Sequence, residues 1–291
     1  MLTLCRHFLF FKGRFMIHNT IKLKDHFNNI NSEATLTSYV IENSNEYSKN
    51  RKRKTIIVLP GGGYGFLSDR EAEPVALRFA GYDINAFVLR YSVHPLNYPY
   101  PLIEVISALA YLYRHSEEYN IDVNSISIIG FSAGGHLAAS AGAYYKNKDL
   151  LNLLNIKEEE VNIAGLILSY PVISMYEDTH GGSRNALTHN DPQLMEMFSI
   201  EKHITKDFPK TFIWTTVFDT IVPSVNTTML IHELAKNKIT FESHIYPMCD
   251  HGLSLADDSV FSDDVDNEYI KEAEPVKEWV DLAIKFIKKY C

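Results

Sequence analysis

The chain has 291 residues, of which 46% are hydrophobic and 12% aromatic, with a formal net charge of -8. Apolar surface on that scale offsets the ordering entropy of a folded core and excludes a mostly disordered chain, and the acidic balance excludes the basic footprint that a nucleic-acid partner requires. Cys5, Cys249 and Cys291 are odd in number and far apart, which fits neither a disulfide framework nor a zinc site and points to a reducing compartment.

Residues 1–30 read as an N-terminal extension, part of it expected to be disordered. Its apolar stretch His7-Phe8-Leu9-Phe10-Phe11 breaks at Lys12 and has no small-residue cleavage site, so a secretory signal is not indicated, and Met16 stands beside Met1 as a candidate start. No window approaches the roughly 18 unbroken apolar residues of a membrane span, and the expected location is cytoplasmic, away from membranes. Next come an expected antiparallel edge strand at 37–42 and the run Arg51-Lys52-Arg53-Lys54, read as a solvated hairpin or strand entrance.

From residue 55 the chain alternates short apolar runs with longer amphipathic stretches. The runs at 55–59, 86–90, 126–129, 165–168, 211–215 and 241–246 have the near-continuous apolar character of strands buried on both faces. Between them lie predicted helices at 71–80, from Pro101 with Leu102, Val105, Leu109 and Leu112 on one face, and at 135–145, 225–237 and 271–289. The pattern predicts an α/β fold, a mostly parallel sheet with helices on both faces, in one domain spanning 31–291. Residues 172–207 are polar, hold Gly181-Gly182, and are expected to make a short helical excursion over the strand ends.

Gly130-Phe131-Ser132-Ala133-Gly134 sits between the run at 126–129 and the helix-like residues after it. A serine on a sharp strand-to-helix turn is exposed for attack, small neighbours let the chain pass closely, and the helix N-terminus faces any oxyanion that forms. An ordinary glycine-rich turn would instead leave Ser132 as a helix N-cap. Pro60-Gly61-Gly62-Gly63-Tyr64, after the run at 55–59, offers backbone N–H donors for a tetrahedral intermediate, and Gly62, Gly63 and Ala133 are the expected oxyanion hole. Neither GxxxxGK[ST] nor a correctly spaced GxGxxG can be drawn there, which disfavours a nucleotide site.

Such a serine needs a base and an acid that orients it. Asp219 follows the strand predicted at 211–218, and His251 follows the one at 241–246, so both emerge at the carboxyl edge of the sheet together with Ser132. Asp250 competes as the acid but is adjacent in sequence to His251 and poorly placed for its ring. His180, His189 and His203, in the excursion, are read as solvated in preference to substrate contacts. No HExxH or comparable spacing suggests a metal.

On these residues the chain resembles the bacterial acetyl esterase and carbohydrate esterase branch of the α/β-hydrolase superfamily, the acetylxylan-esterase-like or lipase/esterase group. The likeness runs from about residue 55 to 256, through Arg70-Glu71-Ala72-Glu73-Pro74, Val88-Leu89-Arg90-Tyr91, Tyr98-Pro99, Tyr170-Pro171-Val172-Ile173, Val222-Pro223 and His251-Gly252-Leu253 as well as the two glycine motifs. It implies an α/β-hydrolase sheet of about eight strands, a Ser132, Asp219 and His251 triad, no cofactor, and hydrolysis of short acyl esters, acetyl above all, on sugars or xylan-derived oligosaccharides. The implied partner is a small ester such as an acetylated sugar, with a homodimer left open. Two departures stand out: Pro60 stands where hormone-sensitive-lipase-like esterases carry a His that braces the oxyanion loop, although the acetyl-esterase-like branch often has Pro there, and Phe218 stands where a small or polar residue is common, with an effect expected on pocket width. The competing readings are an amidase, peptidase or arylformamidase on the same scaffold, and an inactive hydrolase-fold binding module.

Overall fold

Strand pairing in the computed structural model, which describes residues 16–46, 48–176 and 178–291, follows the apolar runs closely. The strands are β1 (Met16–Ile17), β2 (Thr20–Lys22), β3 (Thr35–Ile41), β4 (Arg53–Leu59), β5 (Asn85–Arg90), β6 (Ile121–Phe131), β7 (Gly165–Ser169), β8 (Lys210–Thr216) and β9 (Phe241–Tyr246). They form one nine-stranded sheet in the order β1-β3-β5-β4-β6-β7-β8-β9, with β2 also paired to β3. All pairings from β5 through β4 to β9 are parallel, and those of β3 are antiparallel.

The nine strands against the eight or so implied arise at the outer edge, where β1 and β2 are two short pieces lying along β3. The strand expected at 37–42 is therefore antiparallel as anticipated but is not the edge. Residues 16–30 lie on the body of the fold, with Leu23, Phe27 and Ile30 buried. The question of Met1 against Met16, and Cys5, fall on the first fifteen residues, outside the described ones; Cys249 and Cys291 are free thiols.

Side chains alternate across the sheet with the period of two that strands impose. Ile57 and Leu59 of β4 join the core beneath α2 (Tyr100–Arg114) and α3 (Ala133–Tyr144), whereas Ile56 and Val58 join the opposite core beneath α1 (Glu73–Ala80) and the C-terminal helix. Helices on both faces are what the doubly buried strands demanded; β9 departs from that expectation, since it ends the sheet, pairs only with β8 and leaves Ser243 and Ile245 exposed.

The basic run departs from the expectation of solvation at Arg53, which is 2% exposed. Its Nε donates to Asp83 at 2.6 Å and its Nη1 to the side chain of Asn43 at 2.7 Å, because a strand residue at an inward position needs partners for its charge. The helix expected at 271–289 is broken: α8 (Asn267–Ala273) ends before a 3-10 segment at Glu274–Glu278, and α9 (Trp279–Tyr290) follows. Pro275 accounts for the break, since its ring and missing N–H interrupt the helical hydrogen-bond ladder. The remaining helices are α4 (Lys148–Leu154), α5 (Gly181–Thr188), α6 (Pro192–Met197) and α7 (Val225–Lys236), of which α5 and α6 form the excursion. Among the described residues no helix is long and apolar enough to cross a membrane.

Candidate active site

Ser132 occupies the turn between β6 and α3 with φ 53° and ψ -117°, a region that L residues rarely enter. The surrounding glycines explain how the chain closes this turn. A Cβ on Gly134 would meet the Leu59 carbonyl oxygen at 2.2 Å, and one on Gly130 would meet that of Gly134 at 2.2 Å. Ser132 thus sits at the N-cap position of α3, yet its side chain makes no capping hydrogen bond; the hydroxyl turns instead toward the loop after β9.

There Ser132 Oγ lies 2.8 Å from His251 Nε2, and His251 Nδ1 lies 2.7 Å from Asp219 Oδ2. The structure brings these three expected residues together from loops 119 and 32 positions apart. The Asp219 side chain is fully buried, and its other oxygen accepts the N–H groups of Ile221 at 3.0 Å and Val222 at 2.8 Å. Those bonds fix the carboxylate and leave one oxygen for the imidazole, which places a proton on Nδ1 and an acceptor at Nε2 facing the hydroxyl.

Asp250, the rival acid, turns away from the ring. It accepts the Thr220 N–H and hydroxyl and the backbone N–H of His251, all at 2.8 to 2.9 Å. Burial opposes its ionisation, but the N–H groups of Thr220 and His251 hold the carboxyl below its ordinary value. Its contribution is to tie the Asp219 loop to the His251 loop.

Opposite the histidine lies the glycine loop after β4. Gly62 and Gly63 have φ of 128° and 62°, a conformation that favours glycine. The loop and cap hydrogen bonds of the described residues leave the N–H groups of Gly62, Gly63 and Ala133 unused, so the three expected donors are free to meet a ligand. Tyr64, next along, anchors the loop: its hydroxyl donates to His136 Nδ1 at 2.8 Å, and His136 Nε2 donates to the Phe198 carbonyl at 2.8 Å. Desolvation pushes the fully buried His136 down to about 4, consistent with a neutral ring that accepts on one side and donates on the other.

A cavity of about 260 Å³ opens over these groups, with Gly63, Phe66, Arg70, His180 and Ile221 in its wall. Phe218 does not line it and is 60% exposed, so the expected effect of this residue on pocket width is absent, and Ile221 from the same loop lines the cavity. Of the three excursion histidines, His180 reaches the cavity, contrary to the solvated reading. It caps α5, with Nδ1 accepting the Ser183 N–H at 3.2 Å, so the neutral ring carries its proton on Nε2. Burial and the neighbouring His251 lower its pKa. His189 lies near His94, and His203 Nε2 lies 2.9 Å from the Glu196 carbonyl.

Sequence reasoning quoted Glu71 and Tyr170 only within motifs of the family likeness and gave neither a role. Glu71 is 4% exposed; its carboxylate accepts the Gly61 N–H at 2.8 Å and the Tyr170 hydroxyl at 2.7 Å. Burial raises its pKa against the pull of those two hydrogen bonds. The sequence signal was the place of Glu71 and Tyr170 in the motifs at 70–74 and 170–173, which states no chemistry until the fold closes.

Comparison with known proteins places this geometry in a family. The BD-FAE family matches residues 44–234, a stretch that includes Ser132 and Asp219 and ends before His251. The chain is 35% identical over 229 residues to endo-1,4-beta-xylanase B of Butyrivibrio fibrisolvens, covering 76% of this chain and 36% of that protein. It is 29% identical over 218 residues to an acetylxylan esterase of Xylanibacter ruminicola, covering 71% of this chain and 42% of that protein. The chain thus matches well under half the length of these two relatives. Among solved structures, an acetyl ester-xyloside bifunctional hydrolase from Caldicellulosiruptor lactoaceticus superposes with a TM-score of 0.78 at 33% identity, covering 93% of this chain and 95% of that one. The turn at Ser132, the parallel sheet and these matches together mean that the chain belongs to the BD-FAE family and has the α/β-hydrolase fold.

Proposed function

We propose that this protein is a carboxylic ester hydrolase that removes short acyl groups, acetyl in particular, from sugars through an acyl-enzyme on Ser132. One observation carries the reading: an unbroken hydrogen-bond chain from Ser132 through His251 to buried Asp219 faces unused backbone donors at Gly62, Gly63 and Ala133. In the cycle, His251 takes the Ser132 proton as the hydroxyl attacks the carbonyl, and Asp219 stabilises the imidazolium and its orientation. The oxyanion is held by the three N–H groups. His251 then protonates the leaving alcohol, and the same imidazole activates the water that frees the acid and restores Ser132.

The sugar and acetyl assignments draw support from the acetylxylan esterase and the acetyl ester-xyloside hydrolase that the chain is similar to and from the size of the cavity. The wall is mixed, with Phe66 and Ile221 apolar and Arg70 and His180 polar, which suits a small acyl group on a hydroxyl-rich alcohol. Turnover of 4-nitrophenyl esters should fall from acetate to octanoate, and acetylated xylose should be cleaved faster than the corresponding amide. Ser132→Ala should cut hydrolysis of 4-nitrophenyl acetate by about three orders of magnitude or more and remove covalent labelling by a fluorophosphonate. Full turnover in that variant refutes the proposed nucleophile; fast octanoate cleavage with inert acetylated sugars refutes the substrate and leaves the triad in place.

A further inference from the structure

We propose that Glu71 is a positioning residue: its single carboxylate sets the oxyanion loop and the histidine loop in register with each other around Ser132. This rests on the acyl-transfer reading above, because register between those two loops matters only if both act on one tetrahedral centre.

The geometry has three arms. Glu71 Oε2 accepts the N–H of Gly61, the residue at the root of the Gly62 and Gly63 donors. Gly61 is pressed between that carboxylate and the nucleophile: a Cβ there would lie 2.7 Å from Glu71 Oε2 and 3.0 Å from Ser132 Cβ. Glu71 Oε1 takes the Tyr170 hydroxyl. That phenol oxygen also accepts the N–H of Ser254, three residues beyond His251, at 2.8 Å, and the Tyr170 ring packs edge-on against the His251 ring with centroids 4.8 Å apart. The third arm closes the circuit, since Ser254 Oγ donates to the carbonyl of Arg70 at 2.6 Å, immediately before Glu71. Pro60 brings no polar side chain to this loop, and Glu71 braces it from the other side.

A carboxylate is a costly way to hold a loop. An ionisable group buried in this environment opposes folding unless its hydrogen bonds compensate, and an apolar side chain of similar volume would stabilise the interior more cheaply. What a carboxylate does, and an apolar group or an amide does not, is present two acceptor oxygens, one to each of two loops. Glutamine in its place offers one acceptor oxygen and sets its NH₂ against a donor, so one arm must open. A displacement of the donors by a fraction of an ångström relative to Ser132 is expressed in the transition state, where the oxyanion forms, with little effect on substrate capture.

The test is steady-state kinetics on 4-nitrophenyl acetate with the full chain. Glu71→Gln should lower kcat by about 10- to 100-fold with KM within about threefold of wild type. Tyr170→Phe, which cuts only the arm to the histidine loop, should lower kcat less, and the double variant should fall no further than Glu71→Gln alone. A kcat for Glu71→Gln within about twofold of wild type, a loss confined to KM, or losses that simply multiply would overturn the proposal. If Glu71→Gln fails to fold, Tyr170→Phe decides: a lower kcat at constant KM and unchanged melting temperature supports the coupling, and an unchanged kcat ends it. An inert wild type would sink the esterase reading itself, whereas an active wild type with an indifferent Glu71→Gln sinks only this inference.

Discussion

Ser132 is held in a backbone conformation that costs roughly 1 to 3 kcal/mol at a non-glycine position, and its hydroxyl, bonded to His251, caps no helix in return. The strain is the consequence of aiming Oγ at His251 and away from the N-terminus of α3. Replacing the side chain separates the two effects. Ser132→Gly should melt higher than Ser132→Ala, by about 1 kcal/mol of stability, because glycine relieves the φ of 53° and alanine keeps it; both should be inactive. Thermal melts of the two variants check this, and equal melting temperatures would mean the turn is not strained. The serine and its glycines were legible in the sequence because their spacing is local. The contacts of Glu71, quoted only within a motif of the family likeness, were not, because Gly61, Tyr170 and Ser254 lie 10, 99 and 183 positions away and only the closed fold brings them together.

At the scale of elements, the site is an intersection of loops, each fixed by a different device. The glycine loop is pinned through Tyr64 to His136 on α3, the Asp219 and His251 loops are tied by Asp250, and the excursion enters through His180. The excursion was recognisable as a polar interruption at 172–207, but which of its histidines faces the cavity depends on the start of α5, where Ser183 bonds the His180 ring. A donor at Nε2 suits a sugar hydroxyl better than a nitrophenyl ring. His180→Ala should therefore reduce kcat/KM for acetylated xylose by about tenfold more than for 4-nitrophenyl acetate, the value of one hydrogen bond. Parallel assays on the two substrates give that ratio directly; an unchanged ratio would remove His180 from alcohol recognition.

At the scale of the whole molecule, acidification acts on both charge and burial. The net charge of -8 at pH 7 falls toward zero at the pI of about 5.8, which removes the repulsion that keeps copies apart. Over the same range the unfolded chain begins to protonate His136 near its ordinary 6.5, while the folded protein resists until about 4. The unfolded state then binds more protons, so the stability contribution is fully present above about pH 6.5, declines as pH falls, and is lost by about pH 4, a total of roughly 3 kcal/mol. Melting temperatures measured from pH 7 to 4.5 should fall, and the fall should be shallower in His136→Asn, which has no titration in that window. An equal slope in the two proteins would show that His136 does not govern acid stability.

The sequence by itself determined the layered α/β fold, the strands at 55–59, 86–90, 126–129, 165–168, 211–215 and 241–246, and the identity of the serine, the acid and the histidine as candidates. Each of these is written in local spacing: apolar runs for strands, which are buried on both faces except at 241–246 on the sheet's edge, glycines where backbones touch, polar residues just past a strand end. The tertiary structure alone decided that Arg53 is buried, that Asp250 ties two loops together, that His180 reaches the cavity while Phe218 stays outside it, and that Glu71 stands behind Gly61. Those outcomes depend on partners tens to hundreds of residues apart, and a side chain's burial and charge state are properties of what surrounds it.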